Sequence, residues 1–225
     1  IRTGSMPGSP NSLTAIGNTL YFSAMTSTYG TELWKSDGTE SGTEIVKDIR
    51  SGNTGSNLAW FGAVGNTLFF QASDGSSGYE LWKSDGTESG TVLVKDINPT
   101  SNNYGNSNPQ QLTDICGTLY FSATDGTNGT ELWKSDGTTS GTTMVQDIQS
   151  AAAGSSPSKI LNTTIDNHIF FLATDGTYGQ ELWTLNPSQI TCGSSSSTST
   201  QPSIHGTFVS LNDTTSSLSV GHHHA

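Results

Sequence analysis

Apolar residues come along most of this chain in short alternating runs, and each run stops at Gly, Asn or Asp. Leu13–Ile16 (LTAI) and Thr19–Ala24 (TLYFSA) flank Gly17-Asn18, and Glu44–Ile49 (EIVKDI) follows a polar stretch. Strand side chains alternate between two faces, so such runs predict half-buried strands, and a Gly-Asn pair supplies the positive φ angles of a hairpin turn. Long amphipathic helices need Leu, Ala, Glu and Lys at helical spacing, and this composition lacks them.

The pattern repeats. Glu-Leu-Trp begins at Glu32, Glu80, Glu131 and Glu181, at spacings of 48, 51 and 50 residues. Three copies run on as ELWKSDGT and SGT (Glu32–Thr43, Glu80–Thr91, Glu131–Thr142) into EIVKDI, VLVKDI (Val92–Ile97) and TMVQDI (Thr143–Ile148). Upstream stand further pairs of apolar runs: Phe61–Val64 with Thr67–Ala72, Leu112–Ile115 with Thr118–Ala123, and Thr164–Ile165 with His168–Ala173. Asp-Gly pairs mark the second connection (Asp74, Asp125, Asp175) and the third (Asp37, Asp85, Asp136), a strong hairpin signal. Four short strands with three tight connections, repeated about every 50 residues, predict a β-propeller of four tandem blades.

The string ELWKSDGTxxGTxxVKDI resembles the ELWxxDGT repeat family of multi-repeat bacterial surface and secreted proteins, over roughly residues 9–185. The resemblance implies a propeller-like extracellular protein and brings no catalytic residue with it. The blades are expected at about 9–55, 56–106, 107–155 and 156–192, together a propeller region of 1–192.

Both ends depart from the repeat. Ile1-Arg2-Thr3-Gly4 aligns with Ile49-Arg50-Ser51-Gly52, so residues 1–8 read as the tail of a preceding strand, and the absence of an initial Met suggests a processed form or an excerpt. After Trp183 the fourth repeat loses its SDGT turn and VKDI strand, which predicts an incomplete last blade with an open edge. Residues 193–203 (GSSSSTSTQPS) read as a Ser/Thr-rich linker, and 204–225 as a tail whose Gly206–Asn212 run could complete that blade.

Composition narrows the function. Eight Lys+Arg against 19 Asp+Glu give a net charge of −11, with no basic cluster, so nucleic acid is not an expected partner. No apolar run reaches the roughly 18–20 residues of a membrane span. GxSxG, Walker and HExxH signatures are absent, and the chain reads as a non-enzyme.

Trp34, Trp82, Trp133 and Trp183 share one repeat slot, which assigns them to packing between blades rather than to sugar stacking. The four Glu lie two residues before them, on the same strand face; equivalent positions do not separate the pKa values of an acid and a base, so they read as structural acceptors for turn amides or hydroxyls. No cofactor is expected; the SDGT acids are simplest as turn residues, with calcium as the one alternative and its ligands unassigned. Trp60 lies outside the Trp slot, and Tyr29, Tyr79 and Tyr178 sit in the second connection; these four are the candidate contacts for a glycan or protein. Cys116 and Cys192, the two cysteines, form a disulfide in an oxidising compartment or remain two thiols. Two functions compete: an adhesion module that binds a glycan or protein through its loops, and a structural subunit whose open blade and tail join copies of the chain into a filament or array.

Overall fold

The computed structural model describes residues 8–99, 105–150, 152–162, 169–185, 207–211 and 218–222. Every regular element among them is a β-strand, and the strands form four antiparallel sheets in a propeller-like arrangement.

The first sheet is a meander of β1 (Asn11–Ile16), β2 (Thr19–Thr26), β3 (Gly30–Ser36) and β4 (Glu44–Lys47). The second holds β5 (Ala59–Val64), β6 (Thr67–Ala72), β7 (Glu80–Ser84) and β8 (Val92–Lys95). In the third are β9 (Gln110–Ile115), β10 (Thr118–Thr124), β11 (Thr130–Ser135) and β12 (Thr143–Gln146). The fourth has five strands: β13 (Ser158–Asn162), β14 (Ile169–Ala173), β15 (Glu181–Leu185), β16 (Thr207–Leu211) and β17 (Leu218–His222).

Two strand expectations are corrected here. The first strand of the fourth repeat is β13 rather than Thr164–Ile165, which lies outside the described residues. Ile160 of β13 is 5% exposed and fills the slot of Leu112, so burial selects the earlier run. The fourth sheet is also not left incomplete. The tail strand β16 pairs with β15, Val209 opposite Leu182, and β17 extends the sheet. An apolar-polar run beside unpaired ladder groups satisfies them, and the tail supplies one.

The core lies between sheets. Tyr21, Leu33, Val46 and Ile49 of the first sheet and its exit segment pack on Leu68, Phe70, Ala72 and Trp82 of the second. Phe69, Leu81, Val94 and Ile97 meet Leu119, Phe121, Ala123 and Trp133, and Tyr120 and Leu132 meet Ile169, Phe171, Ala173 and Trp183. Trp82, Trp133 and Trp183 thus face the preceding sheet. Trp82, Trp133 and Trp183 are buried, whereas Trp34, with no described sheet before it, is half-buried. The first strands pack in series, β1 on β5, β5 on β9 and β9 on β13, and among the described residues no packing of similar extent returns from β13 to β1.

Lysines tie the sheets across their outer turns. Lys35 Nζ donates to the Gly86 carbonyl (2.9 Å) and Lys47 Nζ to that of Thr91 (2.8 Å); Lys83 and Lys95 repeat this to Gly137 (2.7 Å) and Thr142 (2.8 Å). The third connection, expected as a tight hairpin, is instead a longer loop from Asp37 to Thr43 and its equivalents. Asp37 Oδ1 accepts from Thr39 N (2.9 Å) and Thr39 Oγ1 (2.7 Å), and Ser36 Oγ and Thr43 Oγ1 share a bond of 2.6 Å at its neck. Side-chain capping of this kind stabilises a loop that strand pairing alone does not close.

Candidate functional site

Strand direction gathers the starts of the first and third strands, the ends of the second, and the segments joining the sheets at one end of the molecule. This end, the linker end, holds most of the unusual backbone. Ser9, Asn57, Asn108 and Ser156 recur at φ +37 to +52, and Ser12, Trp60, Gln111 and Lys159 at +51 to +58. The second set coincides with the register shift at the start of each first strand, so it forms a repeated β-bulge.

Glycine makes the linkers fit. A Cβ on Gly129, at φ +70, would stand 2.4 Å from Gly154 N, because the second connection and the next linker cross backbone on backbone. Gly30 and Gly55 make the same crossing.

Under each crossing lies a fully buried glutamate. Glu32 accepts from Ile49 N (3.1 Å), Arg50 N (3.2 Å) and Ser56 Oγ (2.7 Å). Glu80 accepts from Ile97 N (2.9 Å), Ser107 N (2.9 Å) and Ser107 Oγ (2.5 Å). Glu131 accepts from Ile148 N (3.2 Å), Gln149 N (3.4 Å), Ser155 N (2.7 Å) and Ser155 Oγ (2.5 Å). One carboxylate therefore clasps the exit of its own sheet to the entry of the next, the structural role expected of the Glu slot. Burial pushes Glu32 and Glu80 up to about 7, against the Ser and amide donors that favour the ionised form, and raises Glu131 in the same way. At Glu181 both carboxylate oxygens are buried without a hydrogen-bond partner among the described residues, and burial and then Asp175 raise its pKa.

Between the third and fourth sheets the linker end opens into a cavity of about 340 Å³, lined by Asn108, Gln110, Gln111, Ser122, Thr130, Ser156, Pro157 and Ser158. The lining consists of amides, hydroxyls and one proline, with no charged side chain. Two clasps hold its walls: Glu80 fixes Ser107 beside Asn108, and Glu131 fixes Ser155 beside Ser156. Sequence reasoning missed this cavity. Its residues are ordinary Ser, Asn and Gln, and only the meeting of two linkers and two bulges makes them a site.

The four aromatic candidates all fall at this end, but in different states. Tyr178 is 83% exposed, Trp60 42% and Tyr29 37%. Tyr79 is half-buried, and its hydroxyl accepts from Asn57 Nδ2 at 3.2 Å. The difference is one of register, since Tyr29 and Tyr178 precede their Glu by three residues and Tyr79 precedes Glu80 by one.

The SDGT acids are committed to their own turns: Asp85 and Asp136 repeat the Asp37 bonds to Thr87 and Thr138, and these bonds hold all three carboxyls below the usual range. Among the described residues no group of three or more His, Cys, Asp and Glu is placed to hold a metal ion. Cys116 stands exposed at φ +55 in the β9–β10 turn, while Cys192 lies outside the described residues; no described cysteine is a free thiol.

No protein-family model and no curated protein matches the chain. Solved structures do. A structure from work on two prolyl endopeptidases is 11% identical over 76% of this chain and 24% of its own (TM-score 0.48). A puromycin hydrolase is 17% identical over 80% and 30% (TM-score 0.45). A Bacteroides ovatus protein described as xyloglucan PUL GH43B is 17% identical over 80% and 38% (TM-score 0.37). The chain thus spans well under half the length of each of these structures, and none of them carries an argument about its chemistry.

Proposed function

We propose that the four sheets are blades of a propeller and that its linker end binds a neutral glycan without catalysis, in a bacterial surface or secreted protein. The observation that carries this reading is the uncharged cavity of about 340 Å³, at the same end of the molecule as the exposed aromatic rings. Its volume lies within the roughly 300–1,000 Å³ of small-ligand sites. Amides and hydroxyls offer both donors and acceptors, matching the alternating hydroxyl edges of a sugar, and a Trp or Tyr face stacks on the apolar face of a pyranose ring. A charged ligand finds no counter-ion there.

Non-catalytic binding follows from where the perturbed carboxyls sit. Glu32, Glu80 and Glu131 spend their oxygens on linker donors, and none of them lines the cavity. A glycan array probed with and without calcium tests the reading. Neutral oligosaccharides are expected to bind. Gln110→Ala and Trp60→Ala are each expected to weaken binding roughly tenfold, about one lost hydrogen bond or stacking contact, while leaving the melting temperature nearly unchanged. Retention of no glycan in either condition overturns the proposal.

An extracellular setting also carries the proposal that Cys116 bonds Cys192 and ties the stretch between β15 and β16 back to the third sheet. That bond is expected to add roughly 2–4 kcal/mol of stability by restricting the unfolded chain. Intact mass spectrometry after alkylation without reductant checks it. Two alkylated cysteines would refute the pairing.

A further inference from the structure

We infer that Thr130 and Ser122 are the selectivity residues of the linker end: they hold its cavity open, and the junction of the second and third sheets carries a matching site that Tyr79 and Gln71 close. The ligand class, a neutral sugar, rests on the proposed glycan reading; the opening and closing do not.

The two junctions share one backbone frame. Asn57, Asn108 and Ser156 stand at φ +46 to +52, and Trp60 and Gln111 at +55 and +58 in the repeated bulge. The Tyr79 carbonyl accepts from Asn108 N at 3.1 Å, and the Thr130 carbonyl accepts from Ser156 N at 2.9 Å. Beneath them Glu80 and Glu131 hold Ser107 and Ser155 through both N and Oγ. The side chains of Tyr79 and Thr130 therefore leave the backbone at equivalent points. So do those of Gln71 and Ser122, which stand opposite Leu81 and Leu132 in register.

What differs is the reach of those side chains. Between the third and fourth sheets Thr130 and Ser122 are short, and the cavity of about 340 Å³ lies between Asn108 on one wall and Ser156 on the other. Between the second and third sheets the Tyr79 hydroxyl accepts from Asn57 Nδ2 at 3.2 Å, and Asn57 is in the slot of Asn108. Gln71 Nε2 donates to Asn108 Oδ1 at 3.4 Å, and at this junction Asn108 is in the slot of Ser156. Phenol and amide thus run from the slots of Thr130 and Ser122 to the two walls, through the space that the next junction leaves open.

The rim of the closed site shows what it would take once opened. Trp60 occupies the slot of Gln111, and its ring is 42% exposed. Opening the site would set a stacking ring beside uncharged amides, the chemistry that takes a neutral sugar.

Iodoacetamide labelling of the full chain, read by peptide mass spectrometry, tests this. Ser122→Cys sets a thiol in the wall of the open cavity, and Gln71→Cys sets one in the closed site. Thr130→Tyr is expected to slow labelling of the first at least about tenfold, because access limits a buried thiol. Tyr79→Thr is expected to speed labelling of the second by as much. Thr130→Tyr should also weaken retention of neutral oligosaccharides on the array at least about tenfold. Both rate changes without any change in glycan retention uphold the inference and overturn the glycan reading. Tyr79→Thr, which installs the residue of the neighbouring repeat, carries the test should Thr130→Tyr fail to fold. A labelling rate unmoved by its exchange overturns the inference.

Discussion

Replacing Trp133 by Ala is expected to lower the unfolding free energy by about 3–5 kcal/mol, a large part of the roughly 5–15 kcal/mol that holds a domain of this size together. The ring is 6% exposed and fills the junction between the second and third sheets, against Phe69, Leu81 and Val94. Lys95 Nζ stands 5.9 Å from its ring centroid, adding a cation–π contribution to the packing. Its indole N–H is buried without a partner, so truncation sacrifices no hydrogen bond and the cost is one of packing and cavity formation. The same change at Trp34 should cost clearly less, because that ring is only half-buried. Urea unfolding of the two variants at one pH measures the difference. Equal losses would mean that Trp34 is covered as fully as Trp133.

Stability should fall as pH rises from about 5 to about 8. Glu32 and Glu80 titrate near 7 in the folded chain against an ordinary 4.5, because burial penalises their charge more than the clasp donors repay it. The folded state therefore binds protons that the unfolded state has released. Their contribution is complete below about 4.5 and is lost as pH passes through about 7, on the order of 3 kcal/mol at most for each group. Glu131 and Glu181, also raised, act in the same direction. Asp37, Asp85 and Asp136 are lowered, so their contribution is present above the ordinary 3.8 and fades as pH falls below it. Maximum stability is thus expected near pH 4–5, more acidic than is usual for globular proteins. Melting temperatures across pH 4–8 test this, and Glu80→Gln should flatten the profile by one titrating group. A profile that rises with pH over that range would contradict the clasp as described.

The two effects share a cause in the tandem repeat. Each sheet is too small to bury both its faces, so packing on the next sheet supplies the core and the glutamate clasp fixes the crossing between them. Where the repeat is regular, sequence pattern and structure agree closely. ELW falls on β3, β7, β11 and β15, and TLYFSA and its relatives fall on β2, β6, β10 and β14. The Glu slot was legible as structural because four equivalent carboxylates lie poorly for acid-base chemistry, and three of them accept amides and hydroxyls as that argument requires. Where the repeat lapses, the pattern misleads. Thr164–Ile165 alternates as a strand does, yet β13 lies earlier, where Ile160 reaches the core. The SDGT motif signals a turn, but Thr39 and Thr43 widen it into a capped loop.

The order of hydrophobic and polar residues by itself determined that this protein is all-β, that its unit is a four-stranded meander recurring about every 50 residues, and that its Trp and Glu slots are structural. Those are local or periodic properties, set by alternation and turn chemistry within a few residues. Tertiary structure alone decided that β16 continues the fourth sheet and that Asn108, Gln111, Ser156 and Ser158 meet around one cavity. These depend on how one sheet packs on the next, and residues brought together from separate linkers leave no periodic signal in the chain that joins them.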